Sequence, residues 1–182
     1  MGARTYFAAP LPPMVAADST AFTGTALADV IIAPTTNAPP DLLEIGTRVR
    51  LWAAGQHTST SATPTLGIGF YYGGASGGVA LAATATTVAI SASATAWPFQ
   101  MFYQGVIRTT GTSGTIVGQG GFKLGASLTT WVAEIPIPVT AAARTATIDT
   151  TARKALTVGA VWSVATGAPT LTVNDFFVEL LG

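Results

Sequence analysis

The most regular hydrophobic pattern in this chain lies between Thr63 and Gly78, in the sequence TPTLGIGFYYGGASGG. Its large apolar positions recur at every second residue and are Leu66, Ile68, Phe70 and Tyr72. A period of two predicts a half-buried β-strand, and the glycines that follow it predict a tight reversal. Gly67 and Gly69 fall on the opposite face, where the missing side chains would let another backbone approach closely. We therefore predict a central strand of an all-β domain here.

Further segments alternate in the same way or are rich in β-branched residues, which favour strands. They are residues 19–32, 47–54, 79–90, 99–110, 115–124, 145–149, 154–163 and 170–181. For residues 79–90 a helix is the alternative, because of their alanine content, but their Thr and Val residues favour a strand with a turn. In 47–54 the pattern places Val49, Leu51 and Ala53 on one face and Arg48, Arg50 and Trp52 on the other. Segments 99–110 and 115–124 flank a Gly-rich turn, so we predict that they form a long hairpin.

The segments between these strands carry turn and breaker signals. Residues 33–46 are rich in proline and predict a connection, and residues 56–65 are polar and turn-like. In 125–140, Pro136 and Pro138 allow only an edge strand, because proline cannot donate to the sheet ladder. The single histidine, His57, falls in the polar stretch and is expected at the surface.

These elements predict the fold class. The length of 182 residues suits one domain, and the pattern contains eight to ten strands and no clear helix. We predict a single antiparallel β-sandwich over residues 19–182, jelly-roll-like as first choice and immunoglobulin-like as second. Aromatic residues are spaced along the chain as a packed core requires. They are Phe70, Trp97, Phe102, Phe122, Trp131, Trp162 and Phe177.

Residues 1–18 show no period and contain three prolines. We interpret them as an extended N-terminal arm that docks on a neighbouring protein through apolar anchors, because disordered tails rarely carry so many apolar side chains. The candidate contacts in the arm are Arg4, Tyr6, Phe7, Leu11 and Met14. An unanchored terminus is the alternative.

Charge is scarce in this chain. Eight basic and eight acidic residues cancel, and only 9% of residues are charged, against roughly 25% in typical domains. The balance predicts no nucleic-acid or anionic-membrane partner. A monomer of this size exposes roughly 8,000 Å², which leaves about one charge per 500 Å². Such a surface suits coverage by copies of itself or by a larger assembly, although an Ala-rich monomer is the alternative.

No motif for catalysis or for cofactor binding stands out. The chain has no cysteine, so it can form neither disulfides nor thiolate metal sites. His57 has no carboxylate or cysteine near it in sequence, and no Gly-x-Ser-x-Gly elbow is present. The phosphate-binding pattern begun by Gly67 and Gly69 fails at Tyr72, and the acids form no calcium loop. We expect a non-enzymatic protein without cofactor or metal, and also without an export signal or a membrane-spanning segment.

Some polar and aromatic residues fit binding better than catalysis. Arg48, Arg50 and Arg108 lie in predicted strands, where a charged side chain points to solvent, an edge or a subunit contact. We consider them candidate contacts, with a solvated sheet face as the alternative. Tyr71, Tyr72 and Trp97 could stack on a sugar, although strand aromatics are more often buried.

Several segments together resemble structural proteins of tailed bacteriophages, especially those from phages of actinobacterial hosts. They are TPTLGIGFYYGG, the Ala/Thr-rich strand after it, Trp97-Pro98, GTSGTIVGQGGF and TIDTTARKALTVGAVWSVATGAPTLTVNDFFVELL, within residues 47–182. The resemblance implies a virion protein with a jelly-roll-like β domain, often trimeric, carried on the capsid surface or in the tail. Such proteins act through surfaces, so the resemblance assigns no functional residue.

The function expected from sequence is therefore capsid decoration. The protein would be made in the host cytoplasm and would bind the assembled shell as a homo-oligomer, a trimer by resemblance, with the major capsid protein as its partner. One alternative is a minor tail or fibre-head protein that binds a host surface glycan. Another is a small hydrolase or a lectin-like domain acting outside a virion.

Overall fold

The computed structural model describes residues 8–10, 18–38, 42–60, 63–84, 88–166 and 168–182. Arg4, Tyr6, Phe7, Leu11 and Met14 of the predicted arm lie outside the described residues. The described part contains twelve strands: β1 (Ala8–Pro10), β2 (Ala28–Ala38), β3 (Arg48–Thr58), β4 (Thr65–Tyr72), β5 (Val79–Ala83), β6 (Val88–Ala89), β7 (Trp97–Thr109), β8 (Gly114–Gly125), β9 (Trp131–Ile137), β10 (Thr145–Ile148), β11 (Lys154–Trp162) and β12 (Thr170–Leu181). A short 3-10 helix, Ala142–Arg144, precedes β10.

The strands form two antiparallel sheets that pack against each other. The seven-stranded sheet has the order β1-β12-β3-β7-β8, and β9 and β10 both pair with the far edge of β8. The five-stranded sheet has the order β2-β11-β4, and β5 and β6 both pair with the far edge of β4. The predicted all-β sandwich is thus confirmed, and so is the predicted hairpin, since β7 pairs with β8 from Phe99 to Thr109.

The pairing is nested in the manner of a jelly roll. Strand β1 pairs with β12, β2 with β11, β3 with β7 and β4 with β5, while β1 to β4 alternate between the two sheets. This winding of eight strands into two sheets is the jelly-roll architecture, which was the first choice from sequence. Strands β8, β9 and β10 extend one sheet beyond it, and with β6 they bring the count to twelve rather than eight to ten.

The core lies between the two sheets. The predicted inward positions of β4 are all buried, and Phe70 stacks on Phe176 of the opposite sheet with ring centroids 6.1 Å apart. The inward positions predicted for β3 and β11 are also buried, and Leu51 and Trp162 are each no more than 1% exposed. Burial of these large apolar side chains supplies the main driving force for folding.

The glycines of the segment 63–78 play the two roles predicted for them. Gly73, Gly74 and Gly77 have positive φ angles between 85° and 96°, which L side chains rarely adopt, and they reverse the chain between β4 and β5. At Gly69, an added Cβ would lie 2.6 Å from Cβ of Ala83 on β5. The backbones of β4 and β5 can therefore approach closely only because this position has no side chain.

Two predicted boundaries are wrong. Strand β2 continues through Pro34 to Ala38, where a connection was predicted from residue 33. It lies at the edge of its sheet, where proline is tolerated. Strand β3 continues to Thr58, so His57 is in a strand and fully buried rather than in a surface loop. This segment pairs with both β12 and β7, and this pairing keeps its polar residues in an extended conformation.

The described residues near the N-terminus run along the edge of β12. Ala8–Pro10 pairs with β12 near its end, the Ser19 backbone N–H donates to the Val173 carbonyl at 2.9 Å, and Phe22 bridges to Leu171. An exposed strand edge is a template for unwanted pairing, and these contacts cover part of it. The division into an arm of 1–18 and a domain of 19–182 stays a prediction.

Candidate functional site

The outer face of the five-stranded sheet is closed by small residues and a loop. The outward position of Gly159 on β11 is covered by Ala75 and by the ring of Tyr71, both of which are buried. The Ala75 N–H donates to the Asp29 carboxylate at 2.8 Å, which fixes the loop on the sheet. A ligand would have no apolar surface to bind on this part of the sheet.

The outer face of the seven-stranded sheet carries an exposed row of apolar residues. Cross-strand pairing places Phe177 beside Trp52, and Trp52 beside Phe102. The row then continues to Gly121 on β8 and Pro136 on β9. We call these five residues the aromatic stripe. It crosses five strands at right angles to them, over about 19 Å at the usual strand spacing.

The rings of the stripe are accessible to a ligand. Phe102 is 45% exposed and Phe177 is 40% exposed, while Trp52 is half-buried between them. An added Cβ on Gly121 would lie only 2.8 Å from Cε1 of Phe102. The Phe102 ring therefore leans along the sheet over Gly121 instead of standing away from it, and Gly121 leaves the room it needs.

Polar residues form one row on each side of the stripe. The first row contains Glu179, Arg50, Gln104 and Gln119. The second row contains the polar residues Asp175, Gln100, Lys123 and Glu134, with Ala54 between Asp175 and Gln100. Salt bridges link Arg50 to Glu179 at 3.3 Å and Lys123 to Glu134 at 3.0 Å. Four of the five charged residues in the two rows are thus paired, so the surround of the stripe is polar but close to neutral.

Two shallow depressions lie on either side of Phe102. One has a volume of about 260 Å³ and is lined by Trp52 and Phe177 of the stripe together with Arg50, Gln104 and Glu179. The other has a volume of about 510 Å³ and is lined by Gln104, Gln119, Pro136, Pro138 and Arg144, among others. Each combines apolar stripe residues with hydrogen-bonding side chains, which is the usual lining of a small-ligand site.

The three arginines predicted from sequence are all exposed on the seven-stranded sheet, but only one borders the stripe. Arg50 lies in the first polar row, Arg48 pairs with Val106 and Leu181 one row further along, and Arg108 lies near the end of β7. Within the described residues, neither Arg48 nor Arg108 forms an ion pair. The structure therefore brings Arg50 alone to the stripe.

The stripe itself was missed because Phe102 and Phe177 were predicted as core residues. A signal was present: Phe102 is two residues from Gln104 and Phe177 is two residues from Glu179, so each shares its face with a polar side chain. Trp131 is also 42% exposed rather than buried. Tyr72, by contrast, is buried, and its hydroxyl donates to the Asp149 carbonyl at 2.6 Å.

The titratable groups in the interior are structural. His57 is enclosed, with its ring edge-on to Trp97 at a centroid distance of 6.2 Å. Burial lowers the pKa of His57 from 6.5 to about 4, with a small opposing effect from the Trp97 backbone. Burial also raises the pKa of Tyr103 far above its usual value. Both groups are therefore neutral at physiological pH and out of reach of a substrate at the surface.

Other kinds of site find no support in the part of the chain that the structure describes. These residues contain no group of three or more histidine and acidic side chains that could hold a metal ion. Among the same residues, no helix is long and apolar enough to cross a membrane.

Comparison with known proteins yields no match: no protein-family model, no curated protein and no solved structure is significantly similar to this chain.

Proposed function

We propose that this protein is a non-enzymatic structural protein of a phage virion, a decoration protein that binds the assembled capsid as a homotrimer. The observation that carries the proposal is the low charge of the jelly-roll surface. Sixteen charged side chains serve an accessible surface of 8794 Å², which is unusually few for a surface that faces only water. Contact with a shell and with neighbouring copies would cover much of this area.

The proposed contacts lie away from the stripe. Arg48 and Arg108 are exposed at one end of the seven-stranded sheet and have no ion-pair partner within the described residues. They are available to acidic groups of the major capsid protein. On a symmetric shell each such contact is repeated many times, so weak individual contacts suffice to clamp neighbouring subunits together.

The copy number of the protein in purified virions tests this proposal. A decoration protein is expected in an amount comparable to that of the major capsid protein, measured by quantitative mass spectrometry of the intact particle. Only a few copies per virion would refute decoration. In a binding assay with emptied capsids, Arg48→Glu and Arg108→Glu should each weaken binding, whereas the matched Arg153→Glu, at an exposed arginine outside the strands, should not.

The second candidate function is that of a minor tail or fibre-head protein that binds a host surface glycan. The aromatic stripe favours it, because exposed aromatic rings beside hydrogen-bonding side chains suit a sugar ligand. A low copy number together with a location at the tail, seen by labelling in electron microscopy, would support this candidate over decoration.

A further inference from the structure

We propose that the aromatic stripe is the binding site for an extended chain of neutral sugar residues. The inference gives the second candidate function a site and a ligand class, and it rests on no particular position of the protein in a virion. It follows from the order of apolar and polar rows, from the area of the stripe and from the charge around it.

The order of the rows matches the two surfaces of a sugar ring. A pyranose has apolar C–H faces and a rim of hydroxyl groups. Trp52, Phe102 and Phe177 offer aromatic surface along one line, and the polar rows on both sides offer donors and acceptors within one residue row. The amides of Gln104 and Gln119 can each donate and accept, as hydroxyl groups require.

The shape of the stripe indicates a linear ligand. The two depressions lie along the stripe on opposite sides of Phe102. A chain laid across the strands would place one part against Trp52 and Phe177, pass over the Phe102 ring, and place the next part near Gln119 and Pro136. A single small molecule would use only one of these depressions.

The area of the stripe argues against a second protein as its occupant. One residue row is about 7 Å wide, so a stripe about 19 Å long offers roughly 130 Å². A stable protein interface covers roughly 800 Å² on each partner, and its centre is depleted of charged residues. Here Arg50 and Glu179 border the stripe on one side, and Lys123 and Glu134 lie in the row on the other. A narrow ligand therefore fits this face better than a second copy of the chain.

The charge around the stripe selects an uncharged chain. Arg50 is paired with Glu179, and Lys123 is paired with Glu134, so neither cation is free to bind an acidic sugar. Asp175 is the remaining charged residue of the two rows and would repel a polyanion. Arg144 lines the larger depression outside these rows and forms no ion pair within the described residues, so it offers one isolated cation rather than a row of them. Acidic polysaccharides should therefore bind more weakly than neutral ones.

Affinity electrophoresis of the full chain in gels containing soluble polysaccharide tests the proposal. The neutral probes are hydroxyethylcellulose, laminarin, galactomannan and arabinogalactan, and alginate is the acidic probe. We expect at least one neutral probe to retard the protein and alginate to retard it less. Retardation by none of the neutral probes, or by alginate alone, would overturn the proposal.

Variants then locate the site. Trp52→Ala and Phe102→Ala should each weaken binding of the retarding probe roughly tenfold, as expected for central aromatic contacts. Trp52→Phe should retain more binding than Trp52→Ala, because it keeps a ring. Ile45→Ala and Leu128→Ala remove exposed apolar side chains, 59% and 73% accessible, outside the stripe, and should bind as the parent does. Equal binding by the parent and by both stripe variants would refute the site.

Light scattering coupled to size exclusion separates this proposal from self-association. If Trp52→Ala and Phe102→Ala leave the oligomeric state unchanged while abolishing retardation, the sugar site is supported. If they convert an oligomer into monomers, the stripe is a subunit interface and the proposal is overturned. Neither outcome depends on copy number in the virion, so failure of the sugar site and failure of the decoration function can be told apart.

Discussion

The outer face of one sheet is covered and that of the other is exposed, although both faces contain glycine. On the five-stranded sheet, Gly69 faces outward and its space is filled by Ala82 and Ala83 of β5, through the Ala83 Cβ and the backbone of both residues. On the seven-stranded sheet, Gly121 faces outward and its space is filled by the Phe102 ring, which remains 45% exposed. Gly69 thus allows β5 to cover the outer face of its sheet, whereas Gly121 allows an exposed aromatic ring to lie along the other sheet.

This difference between the outer faces indicates which surface of the fold can bind a ligand. Both inner faces form the core, and among the described residues the outer face of the five-stranded sheet is covered around Gly69 and Gly159. The open face combines exposed aromatic rings with polar rows, and this combination of side chains is the usual lining of a ligand site.

The largest difference in stability is expected between alanine variants of two phenylalanines, one on each sheet. Phe70→Ala removes a fully buried ring that stacks on Phe176 and should lower the free energy of unfolding by about 3–5 kcal/mol. Phe102→Ala removes a half-exposed ring of the stripe and should cost about 1 kcal/mol or less. Urea unfolding followed by tryptophan fluorescence measures both. Equal losses for the two variants would contradict the assignment of the open face.

A pH effect of about 3 kcal/mol is expected from the inner face of the seven-stranded sheet, where His57 is buried. Its pKa is about 4 in the folded protein and 6.5 in the unfolded chain, so the unfolded chain binds the proton first as pH falls. Above pH 6.5, His57 is neutral in both states and the free energy of unfolding is at its full value. Between pH 6.5 and about pH 4, the free energy of unfolding falls by about 1.4 kcal/mol per pH unit.

Urea midpoints measured between pH 4 and pH 7 test this dependence. His57→Gln removes the titrating group, so the steep fall between pH 6.5 and pH 4 should become shallow in this variant, whatever its stability at pH 7. If the parent and His57→Gln lose stability in parallel over this range, the imidazole does not cause the acid sensitivity.

Two glycine substitutions provide the next contrast. Gly69→Ala forces a Cβ to within 2.6–2.8 Å of Ala82 and Ala83, which cannot move without shifting β5, and should destabilise by about 2 kcal/mol. Gly121→Ala meets only the Phe102 ring, which can swing away, and should change stability by about 0.5 kcal/mol or less. Thermal melts compare the two. A similar loss for both would mean that the Phe102 ring is held as firmly as a backbone.

The smallest effect is expected from the ion pair beside the stripe. Arg50→Ala removes a half-exposed partner of Glu179, and exposed pairs of this kind contribute about 0.5 kcal/mol. Its stability should therefore match that of the parent within error in 0.5 M salt. Lys123→Ala breaks the other flanking pair, which is also exposed, and should have an equally small effect on stability. A loss above about 1.5 kcal/mol would show that the pair is part of the packed structure rather than of its solvated surface.

Much of the fold could be predicted because alternation is a local property. The inward faces of β3, β4 and β11 follow from period two alone, and the turn after β4 follows from its glycines. The extension of β3 to Thr58 could not be predicted, because QHTS is polar and only pairing with β7 and β12 keeps it extended and encloses His57. Local composition indicates a loop there, but hydrogen bonding to the strands on both sides keeps the segment in the sheet.

The candidate site was less predictable for a related reason. Alternation assigns Phe102 to the face opposite Tyr103, but it does not say which of the two faces is covered. The pairing of Phe102 with Trp52, and of Trp52 with Phe177, joins residues from three distant strands and depends on register. Arg50 could be predicted as exposed from its charge, because an unpaired buried guanidinium would be strongly unfavourable.

The strands, their two faces and the places where glycine allows reversal or close approach follow from local sequence, since each depends on neighbours along the chain. In the segment 63–78, local sequence determines that Gly69 faces away from Phe70. The residues that lie against that glycine depend on how the strands pair, and so does the exposure of the aromatic stripe between its two polar rows. The nested pairing brings distant strands into register, and only that register determines which outward side chains become neighbours and which remain exposed.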